Sequence, residues 1–231
     1  ALDLAGVSFS NGIGGAFAGA QQTVLDVGFD AGTDGFAFVI NPFNGTSQTG
    51  VAGGTQEAGG GNGGGGALRV DLFSSDGSPT HGASSAAFTH TFNLAQAGEV
   101  TLTFDYRFFY GAGFESNEVG QAIVELDGAR LGGDANGSLA SYTGNGNGGS
   151  PTDTGWQSFS VTLNLEAGNH TLDLGAYYSR STFTEENVTA WYDNVSVTAP
   201  GAPLPLAPGE RALLVSDLAA FTERYGQAVV D

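Results

Sequence analysis

Carboxylates, three histidines and a set of clustered aromatics are the side chains in this sequence whose type and spacing could do chemistry. Glu115 with Glu118, and Glu185 with Glu186, are local acidic pairs. Such pairs can act as general acid and base on a glycosidic bond, or can offer hard oxygen ligands to a cation. Their settings, Phe-Glu-Ser-Asn-Glu and Thr-Glu-Glu-Asn, look like loop, which favours solvation or calcium over catalysis. His81, His90 and His170 lie far apart and lack the two-histidine spacing of a zinc site. Ser, His and Asp are all present, but no Gly-x-Ser-x-Gly marks a nucleophile elbow. The expectation is a chain that is not an enzyme. Aromatic rings gather at Tyr106 to Phe114, at Tyr177 and Tyr178, and at Trp191 and Tyr192. Alternation sends about half of each group inward, and the rest could stack on sugar rings. Tyr110, Tyr178 and Tyr192 are the candidate ligand-binding residues.

The elements that must hold these groups are strands. Apolar and polar residues alternate in Thr89 to Leu94, Val100 to Tyr106, Gln121 to Leu126, Gln157 to Leu165, Thr171 to Tyr177 and Ala190 to Val197, the period of half-buried strands. Phe36 to Ile40 is continuously apolar and reads as a strand buried on both faces. Asp127-Gly128 between two strands is a hairpin signal, and Glu166 to Asn169 reads as a similar turn. Glycine occurs 39 times and concentrates in Ser10 to Gly19, Gly53 to Gly66 and Gly132 to Gly149, which read as loops or close backbone approaches. Together these features predict an all-β fold, an antiparallel β-sandwich in residues 1–198. A Pro-rich linker would follow at 199–208. Leu214, Leu218, Phe221 and Tyr225 recur at helical spacing in the C-terminal segment 209–231, which predicts a short helix stopped by Gly226.

Composition excludes several classes. The net charge is −18 in 231 residues, and all six basic side chains are arginine, so no groove for nucleic-acid phosphates can be built. No apolar run reaches the roughly 20 residues that span a bilayer. Cysteine and methionine are both absent, so there is no disulfide, and the start reads as a processed end. An extracellular or cell-surface protein, after signal-peptide removal, is the expectation. Residues 1–20 could act as an assembly strand: Leu2, Leu4, Val7 and Phe9 alternate, and such a segment could add to the open sheet edge of another copy. The leading functional expectation is therefore a self-assembling structural subunit of an extracellular filament or layer.

Over Leu102 to Arg107, Ile123 to Gly128, Trp156 to Val161, Leu165 to Leu172 and Trp191 to Val197, the order of features resembles the jelly-roll, galactose-binding-like sandwiches of secreted bacterial glycan-active and surface proteins. That resemblance implies a carbohydrate-binding, lectin-like module as the alternative function, with glycans as partners. It also implies a structural calcium near the closing strand, which would place Asp193 beside Glu115 and Glu118. Thr33 to Val39 with Leu68 to Asp71 is similar to the start of legume-type lectins. Val215 to Phe221 with Tyr225-Gly226 resembles the helix of a dockerin, without the acidic loop that should precede it.

Overall fold

The computed structural model describes residues 15–17, 21–43, 45–46, 52–73, 81–146, 149–183, 185–201 and 204–206. Fifteen strands follow in chain order: β1 (Gly15–Phe17), β2 (Gln21–Val27), β3 (Ala37–Ile40), β4 (Ala52–Glu57), β5 (Ala67–Leu72), β6 (Ser84–Leu94), β7 (Gly98–Tyr110) and β8 (Val119–Leu126), then β9 (Ala129–Arg130), β10 (Ala140–Thr143), β11 (Thr152–Asp153), β12 (Gln157–Leu165), β13 (Gly168–Tyr178), β14 (Val188–Pro200) and β15 (Leu204–Leu206). There is no α-helix among the described residues. The chain divides into a compact unit of residues 22–199 and a second unit of 1–21 with 200–231. In the second unit, β1 and β15 form an antiparallel pair.

Residues 22–199 form a β-sandwich. One sheet has six strands in the order β10-β8-β13-β6-β3, with β9 on β8. The other has seven, β11-β7-β14-β5-β4, with β12 on β7 and β2 on β14. Period-two alternation puts Val100, Leu102, Phe104 and Phe108 of β7, Leu68, Val70 and Leu72 of β5, and Val188, Ala190 and Tyr192 of β14 into one core with Ala122, Val124, Leu172 and Leu174 of the six-stranded sheet. Tyr192 also ties the sheets together. Its ring leaves β14, and its hydroxyl donates to carbonyls of the opposite sheet, 3.0 Å from Ile123 O and 2.6 Å from Gly175 O.

Several expectations change in the structure. Asp127-Gly128 does form the tight turn of the β8–β9 hairpin, both residues having positive φ (52° and 77°), the mirror-image geometry that suits strand twist. Glu166 to Asn169, by contrast, joins strands of different sheets: β12 pairs with β7, and β13 with β6 and β8. Phe36 to Ile40 is not doubly buried, because β3 is an edge strand and Ile40 is 45% exposed. Within the linker expected at 199–208, Ala199 and Pro200 end β14 and Leu204–Leu206 is β15, while 202–203 and 207–208 lie outside the described residues. The helix expected in 209–231, and the assembly residues Leu2, Leu4, Val7 and Phe9, lie outside the described residues.

Candidate functional site

The outer face of the seven-stranded sheet carries a continuous row of polar and aromatic side chains. Register across β4, β5, β14 and β7 aligns Thr55, Arg69, Trp191 and Arg107 in one cross-strand row. Core residues alternate with these, so all four point away from the core. The two guanidinium carbons lie 5.5 Å (Arg69) and 5.0 Å (Arg107) from the centre of the Trp191 ring, within cation–π range. Carboxylates complete the row. The Trp191 indole N–H donates to Glu57 Oε2 at 2.8 Å. Arg69 Nε donates to Asp71 at 3.0 Å and its Nη1 to Glu57 at 3.4 Å. Arg107 grips Asp153 through two parallel bonds of 3.0 and 2.5 Å, the fork geometry that guanidinium and carboxylate share. That grip holds the Asp153 carboxyl below its ordinary range.

Two open grooves flank the row along β7. Toward its C-terminal end, Phe73, Phe109, Pro151, Glu185 and Asn187 line a space of about 380 Å³. Toward the other end, Thr103, Asp105, Ser158, Ser160 and Asn194 line one of about 350 Å³ over Phe104 and Phe159. Asp105 accepts hydrogen bonds from Ser158 Oγ (2.6 Å), Asn194 Nδ2 (2.9 Å) and Asn62 Nδ2 (3.0 Å). Burial pushes its pKa up, but the three donors outweigh burial and leave it lowered. Asn194 reaches Asp105 because β14 bulges between Asp193 and Ser196, with Asn194 at φ 53°.

Asp193 stands opposite Asp105 in the register, and burial pushes its pKa up. A lowered and a raised carboxyl side by side would suit acid–base hydrolysis. However, Asp193 is 2% exposed, and its two oxygens accept the backbone N–H groups of Asn62 (2.8 Å) and Asn194 (2.6 Å). It is anchored under the Gly-rich 58–66 turn, out of reach of a substrate.

The acidic loops behave differently. Glu115 and Glu118 do come together, but their third partner is Glu186, and one carboxylate oxygen from each lies within 4.8 Å of the others. Asp193 is absent from this group because it sits five residues along β14 from Val188, about 16 Å at strand rise. Glu118 and Glu186 are fully buried. Glu118 accepts Arg180 Nε at 3.1 Å and Glu115 N at 2.9 Å, and Glu186 accepts the amides of Thr182 and Phe183. Burial and the neighbouring Glu115 carboxyl push the Glu118 pKa up. Sequence reasoning missed Glu186 as a partner of this cluster, although its acidic neighbourhood was visible.

Tyr110, Tyr178 and Tyr192 prove to be core residues, 4%, 0% and 0% exposed. Their hydroxyls are spent on the carbonyls of Glu118, Phe73, and Ile123 with Gly175, so these rings cannot stack on a ligand. His170 also has a structural role, bridging Asp127 Oδ2 (2.7 Å) and the Glu166 carbonyl (2.9 Å).

No protein-family model and no curated protein matches the sequence. Among solved structures, the chain is similar to TmCBM61 in complex with β-1,4-galactotriose, at 12% identity over 76% of this chain and 97% of that one, TM-score 0.39. It is similar to the K3 cleaved adhesin domain of Lys-gingipain from Porphyromonas gingivalis, at 14% over 78% and 99%, TM-score 0.40. The CBM22-1 xylan-binding domain from Paenibacillus barcinonensis Xyn10C is similar at 15% over 78% and 96%, TM-score 0.35. These likenesses concern strand arrangement alone. Among the described residues no helix is long and apolar enough to cross a membrane.

Proposed function

We propose that this chain is a non-catalytic, extracellular carbohydrate-binding module that holds a neutral glycan on the outer face of its seven-stranded sheet. The observation that carries this reading is the Arg69–Trp191–Arg107 row with Glu57, Asp71 and Asp153 around it. A sugar has apolar C–H faces and a rim of hydroxyls, each of which both donates and accepts. The part of the half-buried Trp191 ring that the two guanidiniums leave uncovered would meet the former, and guanidinium donors next to carboxylate acceptors would meet the latter. The charges are already paired with one another, so the face suits a neutral ligand better than an anionic one. The Arg69–Trp191–Arg107 row is what favours this reading over the filament subunit; of the segment 1–20 expected to add to another copy, the described part, Gly15–Phe17, pairs with Leu204–Leu206 of its own chain.

Calcium is part of the proposal. Three convergent carboxylates are the hard oxygen donors that this ion takes, and two of them are buried with one arginine between them. Glu115, Glu118 and Glu186 would hold it, and its charge would offset their repulsion and fix the loops that carry them.

An array of neutral polysaccharides and their oligosaccharides tests the glycan reading. A reproducible hit should weaken roughly 10- to 100-fold in Trp191→Ala, as expected for losing about 1.5–3 kcal/mol of aromatic contact. An empty array, or a Trp191→Ala protein that binds as tightly as the parent, rejects it.

A further inference from the structure

We propose a second glycan site on the opposite side of the sandwich, in the cleft between Arg130 and Tyr177, so that one molecule holds two sugar chains at once. The inference rests on the glycan reading for the class of ligand, and on a separate set of residues for the site. Val119, Gln121, Arg130, Asn136, Tyr177 and Ser179 line an open space of about 420 Å³ on the outer face of the six-stranded sheet. Phe43 packs on Ala87 and Ile123 of the same face, and Tyr177 packs against that cluster with the rest of its ring bordering the cleft.

The cleft is built from strands. Tyr177 and Gln121 are cross-strand neighbours on β13 and β8, and Ser141 of β10 follows Gln121 in the same row. Gln121 is 5% exposed, and its amide is set between Ser141 Oγ and Arg130, at 3.4 Å each. Ser179 Oγ accepts Val119 N at 2.9 Å, which directs the serine hydrogen elsewhere and leaves it to donate. Arg130 contacts Glu125, Gln121 and Asn136 O through Nε and Nη1, all at 3.3–3.4 Å. These bonds use Nε and Nη1, and the Nη2 donors remain for a ligand.

Arginine and serine donors next to tyrosine and asparagine groups that both donate and accept, beside one aromatic ring, match the rim and face of a sugar. Glu125 already balances the Arg130 charge in a chain of net charge −18, so the ligand is neutral. Sheets of a sandwich pack about 10 Å apart, and ligands on their two outer faces cannot touch each other. The molecule would therefore cross-link polysaccharide chains.

The test titrates the 15N-labelled protein with the oligosaccharide that the array identifies, starting with neutral hexaoses of β-linked galactan, xylan and mannan. The amides of Gln121, Arg130 and Ser179 should shift as a set distinct from those around Trp191. Arg130→Ala and Arg130→Lys should each weaken the first set at least tenfold and leave the Trp191 set unchanged. Light scattering of the matching polysaccharide should rise with the parent protein and stay flat with either Arg130→Ala or Trp191→Ala. Shifts confined to the Trp191 face overturn the second site and leave the first reading standing. Shifts confined to the Arg130 cleft remove the first site and keep this one, and no shift on either face removes both.

Discussion

Replacing Tyr192 by phenylalanine removes one oxygen and nothing else, yet it should cost the sandwich a measurable part of its stability. The ring is fully buried, stands edge-on to Phe104 at 5.9 Å, and keeps that packing in the variant. The hydroxyl is the only part of the side chain that bonds the facing sheet, at the Ile123 and Gly175 carbonyls. Deleting it forfeits a net hydrogen bond and leaves two buried acceptors with less than their share, about 2 kcal/mol by analogy with measured cases. A domain of this size loses about 2–4 °C of melting temperature per kcal/mol, so Tm should fall by about 4–8 °C. Thermal melts by circular dichroism should show this, and urea titration should show a lower midpoint with an unchanged slope. Tyr192→Leu, which also loses ring volume, should fall further, by about 3–5 kcal/mol. A Tyr192→Phe protein melting within 1 °C of the parent would refute the idea that this hydroxyl joins the sheets.

Two further outcomes follow from the acidic cluster and the His170 bridge. Calcium at a hundred times its dissociation constant should stabilise the fold by about 2.7 kcal/mol, raising Tm by about 5–11 °C where sodium chloride of equal ionic strength does not. Glu186→Gln should abolish that response and Asp193→Ala should preserve it, and the opposite pattern would return the site to Asp193. Burial lowers the His170 pKa, but Asp127 and the Glu166 carbonyl outweigh burial and raise it, while the Asp127 pKa is lowered by the same contact against its own burial. A raised histidine stabilises fully below its unfolded pKa of about 6.5 and loses that as pH climbs through the folded value. A lowered aspartate stabilises above about 3.9 and loses that as pH falls through its folded value. Asp127→Asn should thus cost most near pH 5.5, by up to about 1 kcal/mol for so exposed a carboxylate, and visibly less at pH 8.5. A cost that does not vary with pH contradicts the charged pair.

Much of the sandwich was legible because strand alternation is written in single residues. Val100 to Tyr106 separates its two faces residue by residue, Ala190 to Val197 does so on either side of a bulge at Asp193–Ser196 that the pattern does not announce, and Asp127-Gly128 names its turn. Alternation does not say which face is core, and that is why the tyrosines misled. Tyr110, Tyr178 and Tyr192 share a face with valine and alanine and fall inside, while Trp191, one step from Tyr192, falls outside. The Glu115–Glu118–Glu186 grouping depends on two loops, 111–118 and 180–187, meeting beyond the ends of β7 and β14, a contact that no local pattern encodes. Phe36 to Ile40 failed for a related reason. An apolar run shows a capacity for burial, and position in the sheet decides whether it is used.

The pairing of Gly15–Phe17 with Leu204–Leu206 bears on how the chain would respond to tension. The strands run antiparallel, so chain preceding β1 and chain following β15 leave the pair at the same end. A pull on those two flanks would load the backbone bonds one after another, as a zipper opens, instead of shearing all of them together. A ladder loaded from that end offers, at each moment, the resistance of one residue pair and not the sum of its three.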